Sequence, residues 1–152
     1  MGRQGLLEGP LSVAHGIWLD PPEREALARA GVVVAHNPAS NLMLGSGILP
    51  YAASLAADLP LALGTDSGLP GRFQGFFEHE ELRLMVESGL TPMQALVAAT
   101  GDAAKCIHQA GQIGTITPGA HADLVSFTKD PTRNILATRT IESVWVDGQP
   151  VP

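Results

Sequence analysis

Three side chains able to bind a metal ion or move a proton each follow a short apolar run. His15 comes directly after Val13-Ala14, His36 directly after Val34-Ala35, and Asp66 two residues beyond Leu63-Gly64. Imidazole nitrogen and carboxylate oxygen are the donors of a hydrolytic zinc centre, where the protein holds the ion and leaves one position to water. A lone histidine in a globular chain is more often a structural or surface residue. That plainer reading is adopted for His79, placed on a solvated helix face, and for His108 and His121, placed in loops. What sets His15, His36 and Asp66 apart is their common place at the carboxyl end of a strand-like run. In parallel α/β folds those ends and the loops after them form the ligand face, so the three side chains would converge on one cleft.

The elements that must position them repeat one grammar. Leu11-Ser12-Val13-Ala14 is an apolar run, and Asp20-Pro21-Pro22-Glu23 then reads as a helix start, with Asp20 accepting a backbone amide and Pro21 suited to the first turn. The helix is expected through Arg24 to Ala30, burying Ala26, Leu27 and Ala30 and stopping at Gly31. Val32-Val33-Val34-Ala35 follows, three β-branched residues in an unbroken apolar run of the kind that suits a strand covered on both faces. A third unit has a short helix at Tyr51 to Ala57, a break at Asp58-Leu59-Pro60 and the strand Leu61-Ala62-Leu63-Gly64. Strands alternating with helices predict an α/β fold with a parallel sheet, either open and doubly wound or closed as a barrel.

Two amphipathic helices are expected next, Phe77 to Glu87 and Pro92 to Ala99, the second opened by a capping box at Thr91-Pro92-Met93-Gln94. Beyond Gly111 the pattern turns to β, with strands at Leu124-Val125-Ser126-Phe127 and Ile141 to Val146 and a turn at Asp147-Gly148. The boundary falls near Gln112, dividing the chain into residues 1–112 and 113–152.

The 152 residues cannot hold a complete (β/α)8 barrel, which needs roughly 250 residues, so any barrel signature here is a part of one. Hydrophobic residues at 45% against 16% charged make a globular rather than a disordered chain. A formal net charge of −6 offers no basic footprint for nucleic acid, and small molecules are the expected partners. No apolar stretch approaches the roughly 18 residues of a membrane span, and the first residues carry no apolar signal core, so a cytoplasmic chain without membrane contact is expected. Cys106, the sole cysteine, excludes an internal disulfide and is expected in the core. The sequence holds no G-x-S-x-G elbow, phosphate loop, dinucleotide fingerprint, H-E-x-x-H or paired C-x-x-C, which removes the commoner hydrolase, nucleotide and local zinc motifs.

The order and spacing of Ala14-His15-Gly16-Ile17-Trp18-Leu19, His36-Asn37-Pro38-Ala39-Ser40-Asn41-Leu42-Met43-Leu44-Gly45-Ser46-Gly47 and Leu63-Gly64-Thr65-Asp66 resemble the last three barrel strands of the amidohydrolase superfamily. The resemblance continues through Leu90 to Leu96, Ala98-Ala99-Thr100, Gly114-Thr115-Ile116, Pro118-Gly119 and Ala122 to Val125, and so covers nearly the whole chain. Within the superfamily the His-Asn-Pro-Ala-Ser-Asn stretch is similar to the deaminase branch, and residues 78 to 100 are also similar to imidazolonepropionase and prolidase-like relatives. It implies the C-terminal part of a (β/α)8 barrel followed by part of a small β-sandwich domain. It also implies hydrolysis of a non-peptide C–N bond with Zn²⁺, or another divalent ion such as Fe²⁺ or Mn²⁺. By the same resemblance Asp66 is a metal ligand and proton shuttle, and His15 polarises the water or substrate or binds a second ion. His36, Asn37, Ser40 and Asn41 line a loop at the site's mouth and touch substrate, with Pro38 and Gly47 shaping that loop.

The sequence also departs from the family. It has no counterpart of the His-x-His after the first barrel strand or of the further ligand from the middle of the barrel, so Asp66 and His15 are too few for a catalytic zinc. The chain therefore reads as an incomplete C-terminal portion, with association between copies through open barrel edges as a further expectation. Two other readings stay open: a non-catalytic fragment, and a small-molecule binding domain in which these residues coordinate nothing.

Overall fold

A computed structural model describes residue 5 and residues 7–68 and 70–152. Its first layer is a three-stranded sheet of β1 (Ser12–Ala14), β2 (Val33–His36) and β3 (Leu61–Leu63), all parallel and in chain order. The register pairs Val13 with Val34 and Val34 with Leu61, so the apolar runs lie side by side and every strand's carboxyl end opens on the same edge. The order β1-β2-β3 contains no reversal, the feature that marks the switch point of a doubly wound sheet.

Helix α1 (Pro21–Arg29) joins β1 to β2 and begins as expected, with reciprocal bonds between Asp20 and Glu23 and proline in the first turn. Leu27 is buried, but Ala30 is exposed: as the cap residue it sits where the chain turns away, and Gly31 completes the reversal at φ +69°. After β2 comes α2 (Pro38–Met43), then α3 (Tyr51–Ala56), which leads into β3. Helices α4 (Phe77–Glu87), α5 (Pro92–Ala99) and α6 (Gly101–Cys106) cover the sheet, and α5 carries the complete capping box of Thr91 and Gln94. Leu27, Val34, Leu61, Leu82, Met85 and Ala98 form the core between sheet and helices.

Cys106 is half-buried rather than a core residue, because the six-residue α6 ends there and neighbouring Ile107 is 60% exposed. A second sheet follows, antiparallel, of β4 (Leu124–Phe127), β5 (Ile141–Val146) and β6 (Gln149–Pro150). The 3-10 turn Ile135–Arg139 between β4 and β5 folds back on α4: Ile135 enters the helical core, and Thr138 meets His79 at 3.0 Å. His79 therefore faces this turn, not solvent as the charged sequence around it suggests. Among the described residues no helix is long and apolar enough to cross a membrane.

Gly16, next to His15, is the tightest glycine near the strand ends. Its φ is +61°, and an added Cβ would lie 2.7 Å from Val34 Cγ1 in the core. Gly16→Ala is expected to lower stability by about 1–3 kcal/mol, from backbone strain and overpacking together. Urea denaturation checks this, and an unchanged midpoint would contradict so close an approach.

Candidate active site

His15 leaves β1 in a left-handed conformation, φ +66°, anchored by its N–H to the Ala35 carbonyl at 2.8 Å. This brings its ring to Asn41 on α2, where Nδ1 meets the Asn41 Oδ1 at 2.8 Å. An amide oxygen only accepts, so Nδ1 is the donor, and in the neutral ring Nε2 has a lone pair for a metal ion, a water or a substrate donor.

Asp66 follows β3 in the same unusual backbone region, φ +51°. One carboxylate oxygen, Oδ2, accepts from Ser40 Oγ at 2.8 Å and from Arg72 Nη1 at 2.7 Å. Arg72 Nη1 also donates to the Asp66 main-chain carbonyl at 3.1 Å. Among the described residues no hydrogen bond reaches Oδ1. The Ser40 hydroxyl first, and the Arg72 guanidinium with it, hold the Asp66 carboxyl below the usual carboxylate range, so it is ionised at neutral pH.

The four residues expected to line a loop at the mouth lie elsewhere. His36 is the last residue of β2 and is 1% exposed, while Asn37, Ser40 and Asn41 are also buried, the latter two on the helix α2. His36 Nδ1 faces the His15 carbonyl at 3.4 Å, Tyr51 stands edge-on with ring centroids 4.9 Å apart, and buried Nε2 has no partner. Burial drives the His36 pKa down to about 4, so its ring is neutral. Asn37 packs its amide against the backbone at Gly64, where a Cβ would come within 3.0 Å of Asn37 Oδ1. Ser40 and Asn41 instead point at Asp66 and His15. The Ser40-Asn41 pair thus orients Asp66 and His15.

Two charged residues that sequence reasoning passed over complete the site. Glu81 on α4 has no exposed surface, and its Oε2 accepts the Ala39 N–H in the first turn of α2 at 3.1 Å. Burial raises the Glu81 pKa to about 7, against a smaller opposing effect of the Ala39 bond and of Arg72. Its one sequence signal was its place four residues from both Phe77 and Met85, on the apolar stripe of α4. Arg72, with its side chain 4% exposed, carried no such signal in a loop rich in glycine and proline.

Beside His15 opens a cleft of about 570 Å³, lined by Ile17, Trp18, Leu19, Glu23, Leu44 and Ser46. Its size and largely apolar wall suit a small organic ligand. Among the described residues no three His, Cys, Asp or Glu side chains group closely enough to hold a metal ion. His15 and Asp66 supply donors of the right kind, each oriented by a second residue as metal ligands are, but two donors do not make a catalytic zinc site.

Comparison with known proteins gives the chain a family. The family model for the amidohydrolase family matches residues 2–151. The chain is 32% identical to the 5-methylthioadenosine/S-adenosylhomocysteine deaminase of Thermococcus sibiricus, over 97% of its own length and 39% of that protein's. It is 38% identical to a protein of the same name from Bacillus cytotoxicus, over 85% of this chain and 31% of the relative. Its structure superposes with a TM-score of 0.82 and 28% identity on a zinc-bound crystal structure of an adenosine deaminase from Xanthomonas campestris, covering 98% of this chain and 38% of that one. The chain thus spans less than half the length of these relatives.

Two of the shifted buried groups, His36 and Glu81, act on stability in opposite directions. The depressed His36 pKa contributes stability that is present above about pH 6.5 and lost as pH falls through about 4. The raised Glu81 pKa contributes stability that is present below about pH 4.5 and lost as pH rises through about 7. Between those limits the slopes largely cancel. Glu81→Gln removes one of them, so the stability of the unmodified chain minus that of E81Q should fall by about 1.4 kcal/mol per pH unit from pH 4.5 to 7. Urea denaturation across that range reads the difference, and a constant difference would mean that Glu81 is ionised in the fold throughout.

Proposed function

Because the chain belongs to the amidohydrolase family, we propose that it forms the C-terminal part of a (β/α)8-barrel hydrolase that removes the amino group of a 6-aminopurine nucleoside. The observation that carries this reading is the pair His15 and Asp66 at parallel strand ends, each with one polar atom held by the protein and the other left free. The in-order parallel strands support a barrel segment, and the antiparallel sheet of β4, β5 and β6 supports part of an accompanying β domain. The substrate class is supported by the names of the three relatives compared above, deaminases of adenosine-type compounds.

In this reading His15 Nε2 and Asp66 Oδ1 are the atoms that would hold a divalent ion, Zn²⁺ or its substitutes Fe²⁺ and Mn²⁺, together with ligands from outside these residues. The ion, when bound, supplies the Lewis acidity that makes water a nucleophile near neutral pH. Asp66, ionised by its two donors, accepts a proton from the attacking water and passes it to the departing nitrogen. The C–O bond forms at the purine carbon, the C–N bond breaks, and ammonia leaves with the proton that Asp66 carried. Where His15 does not bind the ion, its Nε2 orients the water or the purine ring, and the cleft lined by Ile17, Trp18 and Leu44 receives the apolar face of the substrate.

A chimera tests the proposal. This chain replaces the matched part of the Thermococcus sibiricus protein, and ammonia release from 5-methylthioadenosine is measured. Turnover is expected, and Asp66→Asn in the same chimera should reduce kcat by about 10²–10⁴-fold, the usual worth of a positioned acid and base. Full activity in the D66N chimera would remove Asp66 from the chemistry. A folded chimera without turnover or bound metal would favour a binding domain.

A further inference from the structure

We propose that Arg72 is a positioning residue that, with Ser40, fixes one oxygen of the Asp66 carboxylate so that the other faces the reacting groups. This deepens the hydrolase reading and rests on it for the chemical consequence, though not for the geometry. The first observation is where the bonds fall: both side-chain donors reach Oδ2, Ser40 at 2.8 Å and Arg72 at 2.7 Å. A carboxylate with both oxygens engaged would have none to offer, and one with neither engaged would be free to exchange between the staggered χ1 rotamers as well as to turn about its terminal torsion.

The second observation is that Arg72 also holds the backbone. Its Nη1 donates to the Asp66 carbonyl at 3.1 Å, and its own carbonyl accepts from the Gly68 N–H at 3.4 Å, closing the loop on itself. Asp66 at φ +51° is in a region that residues with a Cβ seldom adopt, and such a conformation persists only where the surroundings fix it. A single guanidinium thus sets both the backbone and the side chain of Asp66.

The third observation is that Arg72 is buried behind an open carboxylate. Its side chain is 4% exposed, against 40% for Asp66, so the order of burial runs from a hidden cation to an open carboxylate. Glu81, wholly buried, adds a second anion to its surroundings and ties α2 in place through Ala39, which is how Ser40 arrives at Oδ2.

The rotamer of Asp66 is measured on the 152-residue chain through three-bond couplings from its Cγ to its own backbone nitrogen and carbonyl carbon. The unmodified chain is expected to give the values of one staggered rotamer, and Arg72→Met to give averaged values while the backbone amide spectrum stays that of the folded chain. Should R72M not fold, Arg72→Gln serves in its place, since the amide keeps a donor but not the charge. Couplings unchanged in the folded variant would overturn the proposal. The catalytic consequence is read in the chimera, where R72M should lower kcat about tenfold to a hundredfold with KM nearly unchanged, and Arg72→Lys should recover part of the loss. An unaltered kcat, or a rise in KM alone, would also overturn it, the latter by making Arg72 a substrate contact. If the chimera carrying the unmodified chain does not turn over, the hydrolase reading fails, and the couplings still decide whether Arg72 positions Asp66.

Discussion

Glu81 is a carboxyl group with no exposed surface, at the place where α4 meets the start of α2, and burying it constrains everything above it. A buried carboxyl must find a donor, take up a proton or do both. Its Oε2 accepts the Ala39 N–H, one of the amides left free at the start of any helix. That bond caps a six-residue helix that Asn37, φ −125° and without a side-chain cap bond, does not cap. With α2 held in this way, Ser40 and Asn41 point to two different strand ends, one at Asp66 and the other at His15. The chain of cause runs from a buried acid on one helix, through the entry of another, to the orientation of half-buried His15 and exposed Asp66.

The backbone at those strand ends shows the same economy. His15 and Asp66 both adopt positive φ, which for residues with a Cβ costs on the order of 1–2 kcal/mol each. Each is compensated locally: His15 donates its N–H to Ala35, and Asp66 is held through its carbonyl by Arg72. The turn that follows each strand end lifts a polar side chain out of an apolar run and onto the open edge of the sheet. Residues that continue the strand conformation, such as His36, remain in the core. The difference between His15 and His36 is therefore a difference of backbone, and it decides which of the two is available to a ligand.

Much of this fold is legible in the sequence because its signals are local. The runs at Val13, Val34 and Leu61 become parallel strands, and the capping boxes at Asp20 and Thr91 open helices where their spacing says. The places of His15 and Asp66 at strand ends are legible for the same reason, since a polar residue within two positions of an apolar run is a local pattern. The helix α2 was not: its capping carboxylate lies 42 residues away, and no window over His36 to Met43 contains it. Arg72 and Glu81 were hidden too, because a charged residue reads as solvated unless a partner distant in sequence is known. The charged stretch around His79 misleads in the same way, since Thr138 from the tail covers it.

The side chains behind His15 and Asp66 explain how a segment with only two candidate donors can still hold each of them in a defined orientation. A metal ligand or a catalytic acid performs through its orientation, and losing that orientation costs about as much as weakening the ligand itself. His15 is oriented by Asn41, and Asp66 by Ser40 and Arg72, all within the described residues. The number of donors falls short of a metal centre, while the positioning of each donor is complete. Whatever supplies further ligands therefore has no need to arrange these two. In the proposed hydrolase it would need only to bring its own donors to the strand-end edge where His15 and Asp66 stand, with the cleft beside His15 open to the substrate.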